Sequence, residues 1–183
     1  VLFRSQKHRD LWLTNDDLSM LLTYGILGTL IGGRLGYVTF YAPEYFGDHP
    51  WEILQVWKGG MSSHGGFIGV VIAGWLYCRK YFVDFWDVAD VVVVPIALGL
   101  ALGRFGNFIN QELYGPVTDL PWGVAIPGIE GLRHPTPLYA ALKDIFIAAA
   151  CFLYLRKSQT SGSVLGLFLV LYGALRFLIE YVR

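Results

Sequence analysis

Three arginines stand where a charge is hardest to keep. Arg34, Arg104 and Arg176 each interrupt an apolar run, and an arginine at the centre of a membrane-spanning helix costs about 2.5–3.5 kcal/mol on insertion scales. Something must compensate each of them. A guanidinium either snorkels to the headgroups on its aliphatic stem or meets a partner that accepts its planar fork of hydrogen bonds. Arg34 has only glycines close by, and snorkelling is the simplest reading for it. Arg104 sits in Gly103-Arg104-Phe105-Gly106-Asn107-Phe108-Ile109-Asn110-Gln111-Glu112-Leu113-Tyr114-Gly115, where polar groups recur at Arg104, Asn107 and Asn110 or Gln111. That is helical spacing, which gathers them on one face, and Glu112 joins the face if the helix continues that far. Gly103, Gly106 and Gly115 leave room for another backbone or a ligand. Glue between helices is the competing reading.

Tyr172, Arg176 and Glu180 repeat the theme at i, i+4 and i+8, a stripe about 12 Å long at the α-helical rise. Arg176 is spaced to pair with Glu180, and a purely architectural ion pair is the alternative there. His64 lies in Gly59-Gly60-Met61-Ser62-Ser63-His64-Gly65-Gly66, where the glycines keep the backbone slim for something to sit against it; taken alone, a solvated interfacial histidine is the plainer reading. His134 precedes Pro135 and leads into the fourth apolar run.

Composition says what must position these groups. Of 183 residues, 55% are hydrophobic and 15% charged, and the mean hydropathy is +0.49, which is unusual for a soluble domain. A crossing takes about 20 mostly apolar residues, and the stretches 18–41, 61–78, 86–108, 138–155 and 163–182 come close. The expected fold is therefore all-α, a polytopic transmembrane helix bundle with five spans, because backbone exposed to lipid must satisfy its own hydrogen bonds. The exception is 109–137, with Pro116, Pro121, Pro127, Pro135 and Pro137. It reads as a Pro/Gly-rich external or interfacial arm, free to fold over a site.

Basic clusters in short loops stay on the cytoplasmic side. Arg4/Lys7/Arg9, Arg79-Lys80 and Arg156-Lys157 all fall on one face if five crossings alternate, leaving 42–60, 109–137 and the Arg183 end on the other. His64, the Asn107–Glu112 stretch, His134 and Glu180 then reach one depth, toward the outer leaflet, which points to a site inside the bundle. The formal net charge of zero argues against a nucleic-acid partner. Cys78 and Cys151 have no metal-ligand spacing and read as small core residues. Residues 1–183 read as one transmembrane catalytic domain, with no cleavable leader. The chain opens Val1-Leu2-Phe3 and stops directly after an apolar run, so further segments are expected at both ends.

The Gly103–Gly115 block resembles the signature of the prolipoprotein diacylglyceryl transferases. Gly32-Gly33-Arg34-Leu35-Gly36-Tyr37, the Gly59–Gly66 block, Arg133-His134-Pro135 with Leu138-Tyr139, and Tyr172-Gly173 with Arg176-Phe177 and Glu180 resemble the same family, and together they cover nearly the whole chain. The resemblance implies a seven-span bundle in the bacterial cytoplasmic (inner) membrane, with one span before residue 1, carrying a tyrosine, and one after residue 183. Pro137 stands where the family usually has glutamine, and the 109–137 arm is shorter than in some members, which bears on recognition of the precursor.

The resemblance also implies the chemistry. A lipobox cysteine of a prolipoprotein signal peptide attacks the glyceryl carbon of phosphatidylglycerol, giving a thioether and glycerol phosphate. A thiol of pKa about 8.5 is a nucleophile only as thiolate, so a base or a positive field is needed. Arg104 and Arg176 are the expected phosphate holders, His64 the expected proton acceptor, and Asn107 and Tyr172 orient the headgroup. Glu112 and Glu180 orient arginines or glycerol hydroxyls, and Gly115, His134 and Arg34 complete the expected substrate-binding set. Phosphatidylglycerol, the signal peptide and membrane lipids are the expected partners; no metal, nucleotide or other cofactor is implied. The rival reading is a transporter or ion pathway, which also buries Arg, Glu and His but more often shows two related halves.

Overall fold

The computed structural model describes residues 14–181; the Arg4/Lys7/Arg9 cluster and Arg183 lie outside them. The described chain is mostly helical, in the order α1 (Asn15–Phe40), α2 (Pro43–Asp48), two 3-10 turns (Pro50–Leu54 and Val56–Lys58), α3 (Ser63–Tyr81), α4 (Phe85–Ile109), β1 (Val124–Ala125), β2 (Leu132–Arg133), α5 (Thr136–Leu155) and α6 (Ser163–Glu180). Four of these helices, α1, α4, α5 and α6, are long and apolar enough to cross a membrane. The expectation of five is therefore met in part. A helix does occupy the second stretch, but Gly65, Gly66, Gly69, Gly74, His64, Arg79 and Lys80 dilute the hydropathy of α3. The chain falls into two compact units, with described residues 14–85 and 86–181.

In the first unit, α1 begins with a capping box: Thr14 Oγ1 accepts from Asp17 N at 3.2 Å while Asp17 Oδ2 accepts from Thr14 N at 2.8 Å, which satisfies two of the free N–H groups at the helix start. Its glycines decide how it packs. A Cβ built on Gly28 would lie 2.5 Å from Ala73 Cβ, one on Gly32 2.7 Å from Gly69 Cα, and one on Gly36 2.9 Å from Gly65 Cα. The contacts run in opposite senses, so α1 and α3 are antiparallel and touch backbone to backbone along Gly28/Gly32/Gly36 and Gly65/Gly69/Ala73. Small residues four apart give this close approach. The slim backbone beside His64 is thus explained by α1, which fills the space at Gly65. Gly32→Val should destabilise this unit by about 3 kcal/mol, the upper part of the overpacking range, because the obstruction is backbone. Gly47→Ala, with nothing within 4 Å of the new Cβ, should be neutral; unfolding of both variants in detergent checks the contrast.

Arg34 corrects the snorkelling expectation. Its side chain is 5% exposed and turns toward the 42–60 connection. Nε donates to Ile53 O at 2.8 Å, Nη1 to Gly59 O at 2.6 Å and Gly60 O at 3.0 Å, and Nη2 to Glu52 O at 2.6 Å and Gln55 O at 3.3 Å. The guanidinium carbon also lies 5.0 Å from the centre of the Phe46 ring. Two short 3-10 turns leave several carbonyls without a helical partner, and one buried fork serves them all. Gly59 and Gly60, at φ 84° and 76°, take up left-handed conformations that aim their carbonyls at it. On the surface of the same connection, the Tyr45 hydroxyl donates to Glu52 Oε2 at 2.8 Å, which holds the Glu52 carboxyl below the usual range and the Tyr45 phenol above its own. The stabilisation from Glu52 is present above its unfolded pKa and is lost as the pH falls through the lowered folded value. Arg34→Lys offers three donors for five acceptors, so amides in 52–60 should exchange with solvent at least about tenfold faster while the helices keep their protection, as expected from losing roughly 2 kcal/mol of charged hydrogen bonds.

In the second unit, two carboxylates of the first turns of α4 hold it against the α5–α6 connection and the first turn of α6. Asp87 Oδ1 accepts from Ser161 Oγ at 2.8 Å, and Asp90 Oδ1 accepts from Leu165 N at 2.7 Å. The N-cap of α6 is Gly162, which offers no capping side chain, so a carboxylate from another helix does that work. Asp90 is fully buried, beside a core that includes Val91, Ala97, Ile147, Cys151 and Val164. Cys78 and Cys151 are free and buried, in keeping with their reading as small core residues.

Candidate active site

The polar face of α4 ends sooner than the spacing predicts. The helix stops at Ile109; Gln111 N donates to Phe108 O at 3.1 Å and Glu112 N to Asn107 O at 2.8 Å. This is a Schellman ending with glutamine in place of the usual glycine. Gln111 and Leu113 both take φ 56°, an uncommon conformation for residues with a side chain. Glu112 is therefore not a continuation of the helical face. The turn nonetheless returns it to that face, where Asn107 Nδ2 donates to Glu112 Oε2 at 3.0 Å.

The 109–137 segment is laced to itself. β1 and β2 pair antiparallel, with Val124 opposite Arg133. Gly115 N donates to His134 O at 2.9 Å, and His134 N donates to Pro116 O at 3.1 Å. Thr136 Oγ1 donates to Leu113 O at 2.6 Å, tying the exit of α4 to the entry of α5. His134 Nδ1 lies 3.1 Å from the Tyr139 hydroxyl, which accepts from Trp122 Nε1 at 2.8 Å.

Beside this junction lies a cleft bordered by Arg104 of α4, by Leu113, by Thr136, Pro137, Ala140 and Lys143 of α5, and by Arg176 and Ile179 of α6. The α5 residues recur at three- and four-residue steps, so one face of that helix forms the wall. Arg176 pairs with Glu180 one turn on, as spaced. Arg104 has no ion-pair partner among the described residues. Lys143 and Asp144 are the residues the sequence reading passed over. They are 8% and 2% exposed; Nζ lies 2.6 Å from Asp144 Oδ1 and 3.8 Å from the centre of the Tyr172 ring. The signal was present: two adjacent charges inside an apolar run, subject to the same penalty that singled out the arginines.

Three cations thus border one cleft, and carboxylates pair with two of them, Asp144 with Lys143 and Glu180 with Arg176, leaving one excess positive charge. That is the electrostatic form of a site for a singly charged anion. The whole chain, residues 1–183, matches the family described as prolipoprotein diacylglyceryl transferase. The chain belongs to this family. Similar proteins named phosphatidylglycerol–prolipoprotein diacylglyceryl transferase include those of Legionella pneumophila (strain Paris), 46% identical over 97% of this chain and 70% of the relative, and Cupriavidus necator, 48% identical over 94% and 64%. That of Nitrosomonas europaea is 47% identical over 93% and 62%.

Within this diacylglyceryl transferase family member, the expected site residues divide by unit. Arg104, Asn107, Glu112, Gly115, His134, Tyr172, Arg176 and Glu180 all lie in residues 86–181. Arg104 and Arg176 border the cleft, Tyr172 lies beneath Lys143, and Glu180 holds Arg176. Gly115 and His134 belong to the laced segment. Arg34 and His64 lie in residues 14–85. Arg34 is engaged with loop carbonyls, and His64 is exposed on the first turn of α3, two residues after the Ser62 cap, whose Oγ accepts from Gly65 N at 3.3 Å.

Proposed function

We propose that this chain transfers the diacylglyceryl group of phosphatidylglycerol to the lipobox cysteine of prolipoproteins. The observation that carries the reading is the cleft bordered by Arg104, Lys143 and Arg176 in a chain of this family, since carboxylates offset two of these cations and an anionic headgroup would offset the third. The cysteine sulfur attacks the glyceryl carbon, a C–S bond forms, and the C–O bond breaks with its electron pair on the phosphate oxygen. The thiol proton passes to a base and ends on the released glycerol phosphate or in water. Arg104 and Arg176 hold the phosphate oxygens through bidentate donation. Asn107, steadied by Glu112, and Tyr172 orient the headgroup, Glu180 fixes Arg176, and Gly115 and His134 keep the 109–137 segment shaped for the peptide. His64 is the proton acceptor in this scheme, and Arg34 contributes by shaping the connection that leads into α3.

The reading places the protein in the bacterial inner membrane. It counts α3 as a fifth crossing, shielded by its glycine seam with α1, and puts Arg79-Lys80 and Arg156-Lys157 on the cytoplasmic side. The 109–137 segment is then an arm at the outer face, and the signal peptide enters sideways between spans.

The test is mass analysis of a lipobox peptide incubated with the protein in phosphatidylglycerol vesicles. The expected result is a gain of one diacylglyceryl unit with release of an equal amount of glycerol phosphate. An unmodified peptide in vesicles where the protein is folded would overturn the reading.

A further inference from the structure

We propose that Lys143 is a third substrate-contacting cation of this site, serving the second negative charge that appears on the phosphate as the glyceryl C–O bond breaks. The inference rests on the function proposed above. Phosphatidylglycerol is a phosphodiester with one charge; the leaving glycerol phosphate is a monoester that gains a second on its bridging oxygen. The cleft in its resting state carries one excess positive charge, enough for the diester and not for the product.

The geometry favours Lys143 for the added demand. Its ammonium is fixed by Asp144 Oδ1 at 2.6 Å and by the face of Tyr172 at 3.8 Å, so a charge is held in place before substrate arrives. The ion pair with Asp144 lacks hydrogen-bond geometry, so it does not take up the three N–H donors of the ammonium beside the cleft that Lys143 borders. A compact ammonium with rotatable donors suits an oxygen whose charge and position change during the step, whereas the two guanidinium forks suit oxygens that stay in place. An ion pair kept only for architecture would gain nothing from two arginines on the same cleft, since like charges raise each other's energy. A buried pair of that kind is often replaceable by apolar residues without loss, and this gives the discriminating variant.

The experiment compares wild type, Lys143→Gln and the double variant Lys143→Met/Asp144→Leu, which removes both charges together. In vesicles, kcat should fall about 10- to 100-fold, the scale of one charge-assisted hydrogen bond. The KM for phosphatidylglycerol should stay within about threefold, the pattern of an interaction made only in the transition state. Glycerol phosphate, titrated against thermal unfolding, should raise the melting temperature of wild type and lose most of that effect in the variants; the methyl ester of glycerol phosphate, a single-charge diester, should act alike on all three. Wild-type kcat and wild-type response to glycerol phosphate in either folded variant would make Lys143–Asp144 an architectural pair and overturn the proposal. A rise in KM with kcat unchanged would overturn it as well. Absence of transfer by the wild-type protein would instead count against the proposed function, while the unfolding titration would still decide whether Lys143 meets a doubly charged phosphate.

Discussion

Arg104→Lys is expected to leave the protein inserted and folded and to lower transfer about 100-fold, the scale of losing one preorganised donor to developing charge. Lysine keeps the positive charge at the cleft but forfeits the planar fork that serves two phosphate oxygens at once. Arg104 is the cation with no carboxylate partner among the described residues, so its donors are those most available to a ligand, and its replacement disturbs no ion pair. The fold should tolerate the change for the same reason. The measurement is kcat/KM for a lipobox peptide in phosphatidylglycerol vesicles, with detergent unfolding as the control for structure. Turnover within about twofold of wild type would remove Arg104 from the phosphate site and, because a lost fork must appear in the barrier, would leave Arg176 and Lys143 as the anion holders.

His64→Gln should lower turnover by about 10²–10⁴ at neutral pH, the usual effect of losing a general base. The imidazole is exposed on the first turn of α3, and Ser62 rather than His64 caps the helix, so glutamine there leaves the local hydrogen bonds intact. If the imidazole takes the thiol proton, the deficit must shrink as the pH approaches the thiol's own value of about 8.5, because thiolate then forms without help. A deficit that stays constant with pH would make His64 a residue that positions substrate. Normal turnover at pH 7 would return it to the role of an interfacial histidine, with the arginine field left to lower the thiol pKa.

The two variants probe different parts of the molecule. Arg104 lies in residues 86–181 and His64 in residues 14–85, each unit with its own means of holding shape. In the first, glycines bring two backbones together; in the second, the carboxylates of Asp87 and Asp90 anchor a helix start that has no cap of its own. A loss of activity in Gly32→Val would therefore follow from the packing of α1 on α3, and should appear in unfolding before it appears in kinetics.

The sequence by itself determined the helices and the charged residues worth asking about. Long apolar runs have few ways to satisfy their backbone outside a helix in lipid, so the elements appear near the stretches that hydropathy marks, and an arginine in such a run is conspicuous because its penalty is local. The spacing of Arg176 and Glu180 likewise carried their pairing, since four residues on a helix fix the neighbour. What meets a side chain from elsewhere in the chain is not local, and there the tertiary structure decided. Arg34, flanked in sequence by glycines, is buried because carbonyls eighteen to twenty-six residues later converge on it. The glycines around His64 are slim for the sake of α1, a partner that no window around residue 64 contains. Glu112 rejoins Asn107 through a left-handed turn at Gln111, a conformation that glutamine seldom announces. Lys143 borders the cleft of Arg104 and Arg176 only because α4, α5 and α6 each bring side chains to it. The penalty for a buried charge is written in the sequence, whereas the group that relieves it is set by packing between segments far apart along the chain.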